Sequence, residues 1–144
     1  MRILGIDMGE RRIGLAISDP LGYTAQGLKT IQIENPDEIC DKLIDVIKEK
    51  KVEMLVFGLP INMNGTLGPQ ANKVQEYAGK IKSLTHLPVE FEDERLSTVG
   101  AEQVLLMADQ SRRKRKKSID MLSAVIILQS YLNRKSSDKS KGQT

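Results

Sequence analysis

The chain holds one cysteine, Cys40, one histidine, His86, and no tryptophan. A lone cysteine excludes an internal disulfide and a cysteine-based zinc site. A lone histidine argues against a histidine-rich metal centre and a Ser-His-Asp triad, leaving His86 at most a single ligand. Aromatic residues make up only 3% of the chain, too few for extensive stacking on nucleobases. No apolar run approaches the roughly 20 residues that a membrane span needs, and no basic-then-apolar leader opens the sequence. These absences point to a cytoplasmic setting and to no membrane partner.

What is present fits one folded domain. The 144 residues are 40% hydrophobic and 28% charged, enough for a real core but too few for two ordinary domains. The net charge of +3 is unevenly spread, because the segment from Arg134 onward is Lys-rich and leaves a neutral body. Residues 1–133 are therefore expected to form the domain, and residues 134–144 a basic, Ser/Lys-rich disordered tail. Within the neutral body, Arg112, Arg113, Lys114, Arg115, Lys116 and Lys117 form an unbroken basic run. Such a run is either a solvated loop or a grip for phosphates, and a neutral domain has no folding use for it.

The segment Gly5 to Asp19 carries the strongest local signal. Ile3, Leu4 and Ile6 read as a strand that delivers Asp7 at its end. Met8-Gly9-Glu10-Arg11 supplies a turn, and Arg12 to Ser18 reads as a second strand. A carboxylate at a strand end, with arginines close by, can present a metal ion to a phosphate. A capped hairpin with a surface aspartate would look similar.

Further along, a third strand is expected over Gly27 to Ile33. Asn35-Pro36-Asp37-Glu38 is a helix start, with Ile39, Leu43, Val46 and Ile47 on one face to about Lys50. Glu53 to Leu59 reads as a strand buried on both faces. A turn-rich loop through Asn62, Asn64 and Thr66 follows it. The second helix starts at Pro69, with Ala71, Val74, Ala78 and Ile81 inward, and Val89 to Glu94 is the fifth strand. Ser97 or Thr98 caps a third helix to Ala108, and a last helix spans about Ser118 to Leu132. The order βββαβαβαα predicts an α/β fold with a five-stranded mixed sheet, order 3-2-1-4-5, and helices on both faces. Ligand chemistry is then expected at the strands' carboxyl ends, near the change of direction.

Three acids could converge there. Asp7 ends the first strand, Glu94 ends the fifth, and Asp120 opens the last helix before Leu122, Val125, Ile126 and Leu128. With the fourth strand between them, the first and fifth strands lie roughly 10 Å apart, a gap that carboxylate-held divalent ions would fill. Asp120 could instead be only a helix-terminus acid. Asp93 competes with Glu94, although the longer glutamate spans the gap better.

These segments together resemble the YqgF, or RuvX-like, family of the RNase H-like superfamily. The carrying motifs are Gly5-Ile6-Asp7-Met8-Gly9 with Arg12-Ile13-Gly14, Gly58 to Thr66, Asp93 to Thr98, and Asp120 with Ser123-Ala124 and Ile126 to Gln129. The resemblance implies a bacterial cytoplasmic endonuclease that matures the 5′ end of small-subunit ribosomal RNA precursor. Alternatives are a Holliday-junction resolvase-like nuclease acting on branched DNA, and a non-catalytic RNA-binding assembly factor. It implies Asp7, Glu94 and Asp120 as catalytic acids and ligands of Mg²⁺ or Mn²⁺. Arg12, Arg95, Asn62, Asn64, Thr66 and the run Arg112 to Lys117 are candidate contacts to structured RNA. The RuvC resolvases carry a fourth metal-binding residue one turn after the last aspartate; Ser123 stands there in this chain.

Overall fold

A computed structural model describes residues 1–94 and 117–142, and side chains for residues 1–94 and 121–136. The expected helix from Ser97 or Thr98 to Ala108, Arg95, and Arg112 to Lys116 lie outside the described residues. The side chains of Lys117 and Asp120 lie outside them as well.

The apolar segments form the strands β1 (Ile3–Met8), β2 (Arg12–Ser18), β3 (Ala25–Gln32), β4 (Met54–Leu59) and β5 (Val89–Asp93). The helices are α1 (Ile39–Lys50), α2 (Pro69–Thr85) and α3 (Lys117–Gly142). The five strands form one mixed sheet of order β3-β2-β1-β4-β5, as the alternation of elements predicts. β1 pairs antiparallel with β2 and parallel with β4. The change of direction therefore falls at β1, and the carboxyl ends of β1, β4 and β5 share one edge.

Alternate residues along each strand serve different layers. Leu4, Ile6, Leu55 and Phe57 pack with Leu43, Val46, Val74 and Ile81 of α1 and α2. Ile3, Ala16, Met54 and Val56 pack instead with Ala124, Val125, Leu128 and Tyr131 of α3. Every residue of β4 is buried, because helices cover both of its faces. Helix α3 lies unusually close to β1. A Cβ added at Gly5 would sit 2.7 Å from Leu128 Cβ and 3.2 Å from the Ala124 carbonyl oxygen.

Three expectations are corrected. Asn35 caps a short 3-10 turn, Pro36–Glu38, before α1 begins at Ile39. On α3 the sheet-facing set is Ala124, Val125, Ile127, Leu128, Tyr131 and Leu132, whereas Leu122 and Ile126 are half-buried. The small residues Gly5 and Ala16 draw the Ala124 side of the helix inward. Third, the backbone from Arg134 is helical through Gly142 rather than disordered. Tyr131 and Leu132 are buried just before it, and Arg134 forms a 2.7 Å ion pair with Glu92, which anchors the next turn.

Candidate active site

Asp7 is the penultimate residue of β1, on the sheet face that α3 covers. Ile6 lies opposite Phe57 in β4, so the position beside Asp7 belongs to Gly58, which in turn lies opposite Glu92 in β5. Gly58 leaves an opening between two acidic strand ends. A Cβ there would come within 2.7 Å of Glu94 Oε1 and would collide with the Ile127 side chain. The glycine is required by that close approach, since its backbone lies within the strand.

Glu94 uses this opening to reach Asp7, with which it shares a side-chain hydrogen bond. Its carboxyl is pushed above the ordinary glutamate range, first by burial and then by the negative charges of Asp7 and Asp93. Two carboxylates at hydrogen-bond distance cannot both stay ionised cheaply, so in the absence of a cation Glu94 takes up a proton more readily than a free glutamate does. The same crowding favours a divalent ion.

Strand parity separates Glu94 from its rival. Phe91 packs with the α1 and α2 layer, its ring 6.2 Å from that of Phe57. Asp93, the last residue of β5, has the parity of Phe91, whereas Glu94, just past the strand, brings its Oε1 beside Gly58 on the α3 side. Asp93 still borders the site at the strand end, where its charge is felt by Glu94. A cleft of about 200 Å³ opens between Asp7, Glu92, Asp93 and Glu94 on the sheet and Ser123, Ile126, Ile127 and Ser130 on α3. Asp120 stands in the first turn of α3, one turn before Ser123. Among the described residues, no three His, Cys, Asp or Glu side chains form a metal-binding group. Of the described carboxylates on the cleft, those of Asp7 and Glu94 meet directly. These suit Mg²⁺, which is commonly held by one or two carboxylates together with substrate phosphate oxygens.

Sequence reasoning missed Glu92. Its carboxylate is buried, accepting from Ser130 Oγ at 3.3 Å and paired with Arg134 at 2.7 Å. This pair fastens β5 to α3 directly beneath the cleft. The alternation Glu90-Glu92-Glu94 carried a signal, because Glu92 shares the inward parity of Glu94.

The other described candidates, Arg12, Asn62, Asn64 and Thr66, fall at the same edge of the sheet. Arg12 is exposed and, with Arg11, Glu10 and Gly9, lines a shallow depression that also reaches Asp7. The Gly9 amide closes the turn by donating to the Arg12 carbonyl at 2.9 Å. Beyond β4, Asn62, Asn64 and Thr66 bond to one another. Asn62 Nδ2 donates to Thr66 Oγ1 at 3.1 Å, and Thr66 N and Oγ1 donate to Asn64 Oδ1 at 3.1 and 2.6 Å. Gln70 Nε2, in the first turn of α2, donates to the Met8 carbonyl at 2.8 Å and ties this loop's base to the end of β1.

Known proteins share both the sequence and the fold. A protein of Clostridioides difficile (strain 630) named "Putative pre-16S rRNA nuclease" is 57% identical over 132 residues, covering 92% of this chain and 94% of that protein. A Streptococcus mutans protein of the same name is 56% identical over 137 residues, covering 93% and 99%. Among solved structures, Thermus thermophilus RuvC in complex with a Holliday junction superposes with a TM-score of 0.68 at 16% identity, covering 95% of this chain and 96% of that one. The fowlpox virus resolvase bound to Holliday junction DNA gives 0.59 at 13% identity, covering 93% and 98%. At such identities these two establish a common RNase H-like fold. The family model described as "RuvX: Holliday junction resolvase" matches residues 1–134, and the chain belongs to that family.

Proposed function

We propose that the protein is a metal-dependent endonuclease that hydrolyses phosphodiesters of structured RNA, with small-subunit ribosomal RNA precursor as substrate and the cytoplasm as its setting. The observation that carries this reading is the meeting of Asp7 and Glu94 across Gly58 at the carboxyl edge of the sheet. The RNA substrate is favoured over branched DNA by relatives of more than half identity that bear the pre-16S rRNA nuclease name.

Asp7 and Glu94 would hold a Mg²⁺ or Mn²⁺ ion, with Asp120 as the third ligand. A divalent ion held there would supply neutralising charge to the scissile phosphate and a more acidic attacking water. The protein's own groups do the rest. Glu94 would have to be ionised to hold the ion, and its raised pKa would make metal affinity rise with pH. Arg12, beside Asp7, holds the phosphate in place by a charge-assisted fork. Arg95 and the basic run Arg112 to Lys117 add affinity through backbone phosphates. Ile126 and Ile127 form an apolar wall on the cleft, which strengthens the electrostatic interactions within it.

The test is incubation of purified protein with precursor rRNA and with a four-way DNA junction, with and without Mn²⁺. Metal-dependent cleavage of the RNA is expected, and Asp7→Asn should abolish it while leaving folding and RNA binding nearly intact. Wild-type cleavage by Asp7→Asn would remove the metal site from the reading. Preferential cutting of the junction would replace RNA with branched DNA.

A further inference from the structure

Met63 is the most exposed large apolar side chain among the described residues, with 92% of its surface open to solvent. An exposed methionine on a loose loop would mean little. This loop is cross-braced. The Asn62 amide donates to the Thr66 carbonyl at 3.0 Å, and the Gly65 amide donates to the Asn62 carbonyl at 2.8 Å. Gly65 takes a positive φ of 85°, and Ile61 bridges Leu67 at the loop's base. The polar side chains most suited to contacting a nucleic acid, those of Asn62, Asn64 and Thr66, are engaged within the loop. They act as its frame, and the side chain they hold out is Met63.

The position of the loop gives this exposure a direction. It follows β4 on the edge where β1 ends, and Gln70 fastens its base to Met8, next to Asp7. Met63 is four residues beyond Leu59, so an extended chain carries it at most about 13 Å past the sheet, or about four base rises of 3.4 Å. No residue from Ile61 to Gly68 is charged. The loop therefore has no charge with which to hold phosphates, and the large side chain at its tip is apolar. Of the other exposed large apolar residues, Leu67 lies at the base of the same loop, while Leu21 and Tyr23, the next most exposed, lie in the β2–β3 turn at the opposite end of the sheet.

We propose that Met63 is a wedge that packs against an unstacked nucleobase a few nucleotides from the scissile phosphate. The preferred substrate is then a boundary between duplex and single strand, where a base leaves the stack at low cost. A thioether is adaptable and makes favourable contact with any π-face, so the contact tolerates every base. This inference rests on the nuclease reading above and adds a substrate feature to it.

The experiment places 2-aminopurine, one position at a time, across the boundary of a short RNA duplex and its single-stranded 5′ extension. Fluorescence and affinity are read with EDTA present, so that no strand is cut. Binding of wild-type protein should raise fluorescence several-fold at one position. Met63→Ala should remove that rise and weaken binding about fivefold or more, and Met63→Phe should restore both. The melting temperature and the slope of log affinity against log salt should stay unchanged, since neither packing nor a phosphate contact is lost. An unaltered fluorescence profile in Met63→Ala overturns the wedge, whether or not affinity falls, because the contact would then not be with a base. Failure of the wild-type protein to bind the RNA at all would instead bring down the nuclease reading beneath it.

Discussion

Replacing Gly58 with alanine adds one methyl group to the middle of the sheet, and its consequences divide cleanly between stability and chemistry. The new Cβ would stand 2.7 Å from Glu94 Oε1 and closer still to Ile127. Overpacking of this kind costs about 1–3 kcal/mol. Relief of glycine's backbone entropy in a strand returns about 0.5–1 kcal/mol, leaving a net loss of roughly 1–2 kcal/mol. For a domain of this size that corresponds to a melting point about 3–6 °C lower. The effect on catalysis should be far larger than the effect on folding. Either Ile127 or the Glu94 carboxylate must move, and displacing a ligand by about 1 Å costs on the order of 100-fold in rate. Gly5→Ala is the matched control, because it crowds Leu128 and Ala124 on the same face of the sheet. It should lower stability comparably and spare more of the activity. Melting curves and single-turnover cleavage in Mn²⁺ measure both quantities. Full activity in Gly58→Ala, with unchanged metal dependence, would refute the claim that Glu94 acts through the gap at Gly58.

Two further outcomes follow from the charges around the cleft. Burial, and then Asp7 and Asp93, raise the Glu94 pKa above its ordinary 4.5, so the folded state binds the proton more tightly than the unfolded chain. Stability from that proton is complete below the unfolded pKa and is lost as pH rises through the folded value. Metal-free Glu94→Gln should therefore melt above wild type at pH 7, with the gap closing as the pH falls toward 4.5; a pH-independent gap would contradict the raised Glu94 pKa. Arg134→Ala leaves the buried Glu92 carboxylate without its cation. Because Arg134 is itself 43% exposed, the cost measured by urea denaturation should be about 1–3 kcal/mol, below that of a fully buried pair. Glu92→Gln should cost less, since Ser130 can still bond to the amide.

The sheet order was legible in the sequence because strands and helices alternate and each strand's apolar pattern declares how many faces it buries. Asp7 and Glu94 were legible as carboxylates at strand ends on a shared edge. What stayed hidden depended on partners distant in the chain. The side of the sheet on which Asp93 and Glu94 each lie depends on the layer in which Phe91 packs, which requires knowing that Phe57 is its neighbour. The role of Glu92 needs Ser130 and Arg134, which lie on an element with no local link to β5. The inward face of α3 was misread because small residues on the strands, not the helix's own hydrophobicity, decide which side can approach. The helical backbone beyond Asn133 was hidden for the same reason. Its polar composition argues for disorder, and the Glu92 pairing that anchors it is tertiary. The basic run and Asp120 remain expectations of the sequence.

The covering of one whole sheet face by α3 also orders events in time. Ribosomes make a chain from its amino end, so the five strands of the sheet exist before the helix that seals Ile3, Ala16, Met54 and Val56. Until then the nascent sheet presents a bare apolar face, and the cleft lacks the wall formed by Ser123, Ile126, Ile127 and Ser130. Docking of the last helix buries the exposed face and completes the acidic cleft in a single event. A growing or truncated chain is thus held without a finished hydrolytic centre while it sits among the ribosome's own RNA.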